Sequence, residues 1–137
     1  MKAKIKDKEL NFPDNLKYSD KHQWFNSSTN RVGITDYAQS ELGEIITADL
    51  QGALGLEVNA GDLFEDISVE AQKAVADIYS PVSGKVKAIN EAVMDAPEKI
   101  NQDPYGEGWL FEFEDSVPAD NLMNANGYVE YLKKINK

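Results

Sequence analysis

None of the 137 residues is cysteine. That absence excludes disulfides, thiolate nucleophiles and cysteine-held metals together. Histidine is nearly absent too: His22 is the only one, so a Ser-His-Asp relay or a histidine-rich zinc site would have to depend on it. Neither a GxGxxG nor a GxxxxGK[ST] phosphate-cradling loop occurs. No apolar run approaches the roughly 20 residues of a membrane-spanning helix. Positive charge is also short. Fourteen Lys and Arg face 24 Asp and Glu, and the net charge of -10 repels nucleic-acid phosphates. Neither nucleic acid nor membrane is expected as a partner. The opening "MKAKIKDKELNFPDNL" has charge but no apolar core, so it does not read as a secretory signal, and the expected location is cytoplasmic.

What is present suits a single globular domain: 42% hydrophobic and 28% charged residues, in a length that can bury one core. Residues 1–15 read as a charged, weakly ordered lead-in, and 16–137 as one domain. "RVGIT" (31–35) reads as a strand, "DYAQSELG" (36–43) as a helical turn stopped by Gly43, and "EIITADL" (44–50) as a strand. "GALG" (52–55) and "SPVSG" (80–84) read as turns, with "KVKAIN" a strand between the second turn and a loop-rich stretch over 97–108. "WLFEFE" (109–114) reads as a strand. From Val117 the pattern turns helical, with Leu122, Val129, Leu132 and Ile135 on one face and Gly127 weakening the middle. Many short strands and one terminal helix imply a mostly β sandwich or flattened barrel with short helices and a C-terminal helix.

The chemical inventory is thin. Glu65-Asp66 and the Glu112/Glu114 pair read as the solvated faces of strands. His22, between Lys21 and Gln23 and just before Trp24, reads as a packing or surface residue. A non-enzymatic carrier or binding domain is the reading these residues support. "VEAQKAVADIY" (69–79) adds one specific feature. Ile67, Val69 and Ala71 alternate into a break at Gln72-Lys73, and Ala74, Ala76 and Ile78 alternate out of it, which is the pattern of a hairpin. The break is not the Asn-Gly or Asp-Gly that a tight primed turn prefers. A lysine there is ordinarily just solvated. It is also a primary amine held clear of the protein, suited to enzymatic amide formation.

"VEAQKAVADIYSPVSG" (69–84) resembles the lipoylation hairpin of the glycine cleavage system H proteins: a Val-Glu pair, the modified lysine, Asp-Ile-Tyr, and a Pro-Val-Ser-Gly turn. The likeness recurs in "LKYSDKHQW" (16–24), "VGITDYAQSELGEI" (32–45), "INEAVMDAPEKIN" (89–101) and "DPYGEGWLF" (103–111), so it spans roughly residues 16–132. It implies a lipoyl/biotinyl-type β-sandwich carrying lipoate in amide linkage on Lys73. It implies a carrier that takes an aminomethyl group from a pyridoxal-phosphate glycine decarboxylase (P protein) to a tetrahydrofolate-dependent aminomethyltransferase (T protein). Dihydrolipoamide dehydrogenase (L protein) then reoxidises the carrier, and a lipoate ligase or a lipoyl/octanoyl transferase supplies the lipoyl group. Glu70 and Asp77 match family positions near the modified tip and the cargo cleft. The alternative in the same family is an H-like lipoyl carrier for another pathway, either donating lipoyl groups to other complexes or serving sulfur oxidation with heterodisulfide-reductase-like partners. A biotin carrier fits less well, because the Met-Lys-Met flank is missing.

The chain departs from the family pattern at the cleft. His-Glu-Trp becomes His22-Gln23-Trp24, and a neutral amide makes a weaker contact with an ammonium than a carboxylate does. The expectation is therefore that Gln23 faces the cargo amine and holds it loosely. Lys21 stands where serine is common and Gln72 where valine is. The Gly61–Lys73 stretch is about two residues longer than usual, which preserves strand facing because the side-chain period is two.

Overall fold

Apolar alternation forms the strands, and the turns fall where Gly, Pro or Asx residues interrupt it. The computed structural model describes residues 1–137. In chain order the elements are β1 (Lys2–Ile5), β2 (Lys8–Asn11), β3 (Lys17–Tyr18), β4 (Gln23–Asn26), β5 (Arg31–Ile34), α1 (Asp36–Leu42), β6 (Ile45–Asp49), β7 (Glu57–Val58), β8 (Ser68–Ala71), β9 (Val82–Ile89), α2 (Glu91–Asp95), α3 (Lys99–Gln102), β10 (Phe111–Pro118) and α4 (Ala125–Ile135). A 3-10 turn at Gln51–Ala53 joins β6 to β7. Every strand pair is antiparallel. One sheet has six strands in the order β3-β4-β5-β10-β9-β7; β6-β8 and β1-β2 form separate pairs.

Two hydrophobic clusters follow from strand alternation. On β4, Phe25 enters the first cluster and its neighbour Trp24 enters the second, because successive side chains take opposite faces. The first cluster lies between the six-stranded sheet (Val32, Val86, Phe111, Phe113) and the small sheet (Ile45, Ala48, Val69), which makes the sandwich. The second joins Tyr18 and Trp24 to Tyr128, Val129 and Leu132 of α4 and to Ile5, Leu10 and Phe12. Gly33, opposite Trp24 on β5, has no space for a Cβ because the indole lies against it.

The first fifteen residues are the largest difference from expectation. They form the β1–β2 hairpin, and burial of Ile5, Leu10 and Phe12 is worth about 1.5–3 kcal/mol each. A two-stranded hairpin is marginal alone, so this one depends on that packing. The C-terminal helix begins at Ala125, not near Val117, because β10 keeps pairing with β9 as far as Pro118. Asn124 caps it by accepting the Gly127 N–H at 2.8 Å, which puts Gly127 in the first turn. Leu122 therefore precedes the helix, and Ile135 is 46% exposed. The turn at 80–84 is also shorter than expected, since Val82 already begins β9. The loop-rich stretch over 97–108 contains α3.

Candidate functional site

The hairpin around Lys73 is laddered at base and tip. Leu63 pairs with Tyr79, and Glu70 pairs with Val75. Six residues lie between the two pairings on the incoming arm against three on the outgoing arm, so the entry is the longer arm, with its extra length around the exposed Glu65 and Asp66. The Asp66 backbone leaves no room for a Cβ at Gly52. Facing is restored beyond that stretch, where Val69 and Ile78 are both buried.

At the tip, Ala71 N–H donates to the Ala74 carbonyl at 2.9 Å, leaving Gln72 and Lys73 as the two-residue loop. Those two backbones are tied to the segment after α1: Gln72 N–H donates to Glu44 O (2.8 Å) and Lys73 N–H to Leu42 O (3.1 Å). Gly43 ends α1 with φ 78° and packs against both tip residues; a larger residue there would be strained by that backbone conformation. Asn101 fixes that segment in turn. Its Oδ1 accepts the Ile45 N–H, and its amide donates to Gly43 O and Gln39 Oε1, all within 2.9 Å. The Lys73 side chain is exposed on a backbone held by hydrogen bonds, which is a rigid mount for an amine.

Two recesses flank the tip. One, of about 330 Å³, is lined by Ile34, Tyr37, Ala38, Leu42, Val75 and Ala76, with the polar residues Lys21, His22, Gln23, Glu41 and Asp77. The other has about 540 Å³ and no apolar lining residue; Gln39, Gln72, Lys73, Asn101 and Gln102 are among those that form it. An arm with an apolar end is better accommodated in the first, where apolar contacts replace water. The lining residues of α1 form one stripe, because Tyr37 and Glu41, and Ala38 and Leu42, are each four residues apart.

Four of the five singled-out residues meet here. Lys73 is the tip, and His22, Gln23 and Asp77 line the adjoining cleft. Glu70 does not line it; it sits exposed on β8, opposite Thr47 of β6. His22 occupies the β3–β4 turn with φ 75°, a conformation costing a non-glycine residue about 1–2 kcal/mol. Packing holds it there: its ring lies 4.9 Å from Tyr37, and Nδ1 shares a 2.8 Å hydrogen bond with the Tyr128 hydroxyl, itself 2.9 Å from Thr35 Oγ1. Burial, above all, lowers the imidazole's pKa, with Lys21 adding to the effect and Asp20 and Glu41 opposing it.

Gln23 is 1% exposed, its Oε1 accepts from Ser19 Oγ at 2.8 Å, and its Nε2 donates to Lys21 O at 2.8 Å. Each end of the amide is hydrogen-bonded within the turn and the side chain is buried, so Gln23 forms part of the cleft wall. A carboxylate in this place would set an acceptor against the Lys21 carbonyl. Lys21 is also drawn aside, with its ammonium 5.6 Å from the centre of the Tyr79 ring.

A sequence model described as glycine cleavage H-protein matches residues 16–135. The chain belongs to that family. It is 49% identical over 127 residues to the glycine cleavage system H protein of Burkholderia cenocepacia, covering 89% of this chain and 98% of that protein. It is 44% identical over 126 residues to the counterpart from Carboxydothermus hydrogenoformans, covering 89% and 95%. The crystal structure of a glycine cleavage system H protein from Mycobacterium marinum superposes with a TM-score of 0.77 at 31% identity, over 88% of this chain and 98% of that one. The expected lipoyl-type β-sandwich is therefore the fold, and the role is that of the H-protein carrier of a glycine cleavage system. No helix is long and apolar enough to cross a membrane. The β1–β2 hairpin falls outside the matched residues.

Sequence reasoning missed Tyr37, Glu41 and Leu42 of α1 and Asn101 beneath the tip. The four-residue spacing in "DYAQSEL" was the available signal for the first three. Nothing local marks Asn101, whose partners lie 56 to 62 residues away in sequence.

Proposed function

We propose that Lys73 carries lipoate in amide linkage and that the adjoining cleft receives the cargo end of the lipoylated side chain. The observation that carries this reading is the juxtaposition of an exposed lysine on a tied-down tip with a part-apolar, carboxylate-bearing cleft starting two residues away at Val75. The residues present fit the group: Ile34, Leu42, Val75 and Ala76 suit its hydrocarbon and sulfur portion, and Glu41 and Asp77 suit a cationic cargo. When bound, lipoate supplies the disulfide redox and group-carrying chemistry that a cysteine-free chain lacks.

The protein's own part is to hold and shield. Leu42 and Glu44 carbonyls fix the tip, Tyr37 and His22 wall the cleft, and the apolar lining limits access of water to a reactive cargo. The cargo in this reading is the aminomethyl group of glycine, received from the decarboxylase and delivered to the aminomethyltransferase. Dihydrolipoamide dehydrogenase and a lipoate ligase or lipoyl/octanoyl transferase complete the partners, in the cytoplasm. A chain without an internal thiol cannot divert the carrier disulfide by exchange.

Intact-mass measurement after incubation with a lipoate ligase tests the assignment. One lipoyl addition is expected on the wild type and none on Lys73→Arg, whose fold should be unchanged because the side chain is exposed. Modification of the variant would place the site on another lysine.

A further inference from the structure

The cleft offers few groups to a cationic cargo. Gln23 is satisfied by Ser19 and Lys21, and His22 is committed to Tyr128. Two carboxylates remain, Asp77 on the hairpin and Glu41 on α1. Glu41 already holds an ammonium. Lys6 Nζ lies 2.9 Å from its Oε1, reaching across from the β1–β2 turn, where Lys6 and Asp7 both have positive φ. The fold thus places one of its own primary ammonium groups on a cleft carboxylate.

The pair is suited to exchange. Its side chains are 50% and 41% exposed, and pairs so solvated hold weakly. An amine tethered through Lys73 would compete at the high effective concentration that a short linker confers. The Lys6 ammonium is favoured in its charged form, first by its hydrogen bond to Glu41 and then by that carboxylate's charge, so Glu41 does stabilise a cation here.

We propose that Glu41 holds the amine of the cargo carried on Lys73, and that Lys6 is the exchangeable cation occupying Glu41 while the cleft is empty. The inference rests on the carrier reading above and adds a residue and a competitor to it. It assigns the β1–β2 hairpin, which lies outside the residues matched by the family, a role in setting how tightly cargo is kept. It also explains how the cleft can serve a cationic cargo with glutamine at position 23.

The test uses the lipoylated full chain, loaded with glycine and the decarboxylase, then freed of enzyme. Without the aminomethyltransferase, water converts the bound aminomethyl group to formaldehyde and ammonia and leaves the thiol. Glu41→Gln is expected to release formaldehyde about two- to five-fold faster, the range for a solvated ion pair. Lys6→Ala is expected to release it more slowly, and the double variant to match Glu41→Gln. Opposite signs are the signature, because an ion pair that merely braces the hairpin would make both variants faster. A second readout is the Lys6 side-chain NMR signal, which should move toward that of a free lysine on loading. Equal rates, shifts of the same sign, or an unmoved Lys6 signal would each overturn the proposal. Failure of the wild type to gain the aminomethyl mass would instead overturn the carrier reading, and this inference with it.

Discussion

The two hydrophobic clusters differ in chemistry as well as position. The first has 17 buried residues, of which four are aromatic, all phenylalanine. The second has 11, of which five are aromatic, and four of those five carry a polar atom. Each polar end finds a partner: Tyr18 donates to Pro13 O (2.7 Å), Trp24 Nε1 to Pro104 O (3.0 Å), Tyr128 meets Thr35 and His22, and Tyr37 reaches Glu41 and Asn136 at 3.5 Å. No buried side-chain nitrogen or oxygen is left without a partner. The dry cluster fixes the sandwich and the hairpin that presents Lys73. The polar-ended one builds a wall with hydrogen-bonding groups on it. The cleft lies at their seam, where Ile34 of the first meets Tyr37 of the second.

The two clusters meet at β4, where adjacent residues serve different ones. Trp24→Ala should cost about 3–5 kcal/mol, as truncations of buried aromatics do. Since β4 contributes to both clusters and Gly33 of β5 lies against Trp24, a single urea transition is expected, with amide protection of β9 falling alongside that of α4. Protected β9 amides in a protein whose α4 exchanges freely would show two independent units. Gln23→Glu, one residue away, should cost less, about 1–3 kcal/mol, from a carboxylate facing the Lys21 carbonyl without the Nε2 donor. An unchanged unfolding midpoint would show that the β3–β4 turn can re-form around an acid.

The smallest effect concerns pH. His22 titrates below its ordinary value of 6.5 in the folded chain, chiefly because burial disfavours the imidazolium. The unfolded chain therefore takes up the proton first. Stability from this residue is complete above pH 6.5 and declines as pH falls through that value toward the lower folded one. His22→Asn keeps a residue tolerant of positive φ and removes the titration. The wild type should lose more stability than the variant between pH 7.5 and 5.5 in urea unfolding. Of the groups facing His22 (Asp20, Lys21, Glu41, Tyr37 and Tyr128), parallel losses would mean that the carboxylates Asp20 and Glu41 offset the burial and Lys21.

Much of the first cluster was legible because strand alternation is local: Val69, Ile78, Val86 and Phe113 all declare themselves by period two. The motif carried Lys73, and Gly43 marked the end of α1. The second cluster was less so. "KAKIKDKELNF" is charged at most positions, and its Ile5, Leu10 and Phe12 become core only because α4 and Trp24 cover them. The partners of Gln23 were hidden in the sequence for a related reason. Its type predicted a neutral contact for cargo, whereas its partners, Ser19 and the Lys21 carbonyl, are set by a turn whose geometry depends on His22 adopting positive φ. Glu41 escaped notice because its importance comes from Lys6, 35 residues away.

Whether the seam receives the cargo is tested most directly by methyl NMR of the lipoylated protein before and after loading with aminomethyl cargo. The methyls of Leu42, Val75 and Ala76 should shift, while the side-chain amides of Asn101 and Gln102, in the polar recess on the other side of the tip, should stay in place. Shifts confined to Asn101 and Gln102, or no shift at either set, would contradict the assignment of the cleft.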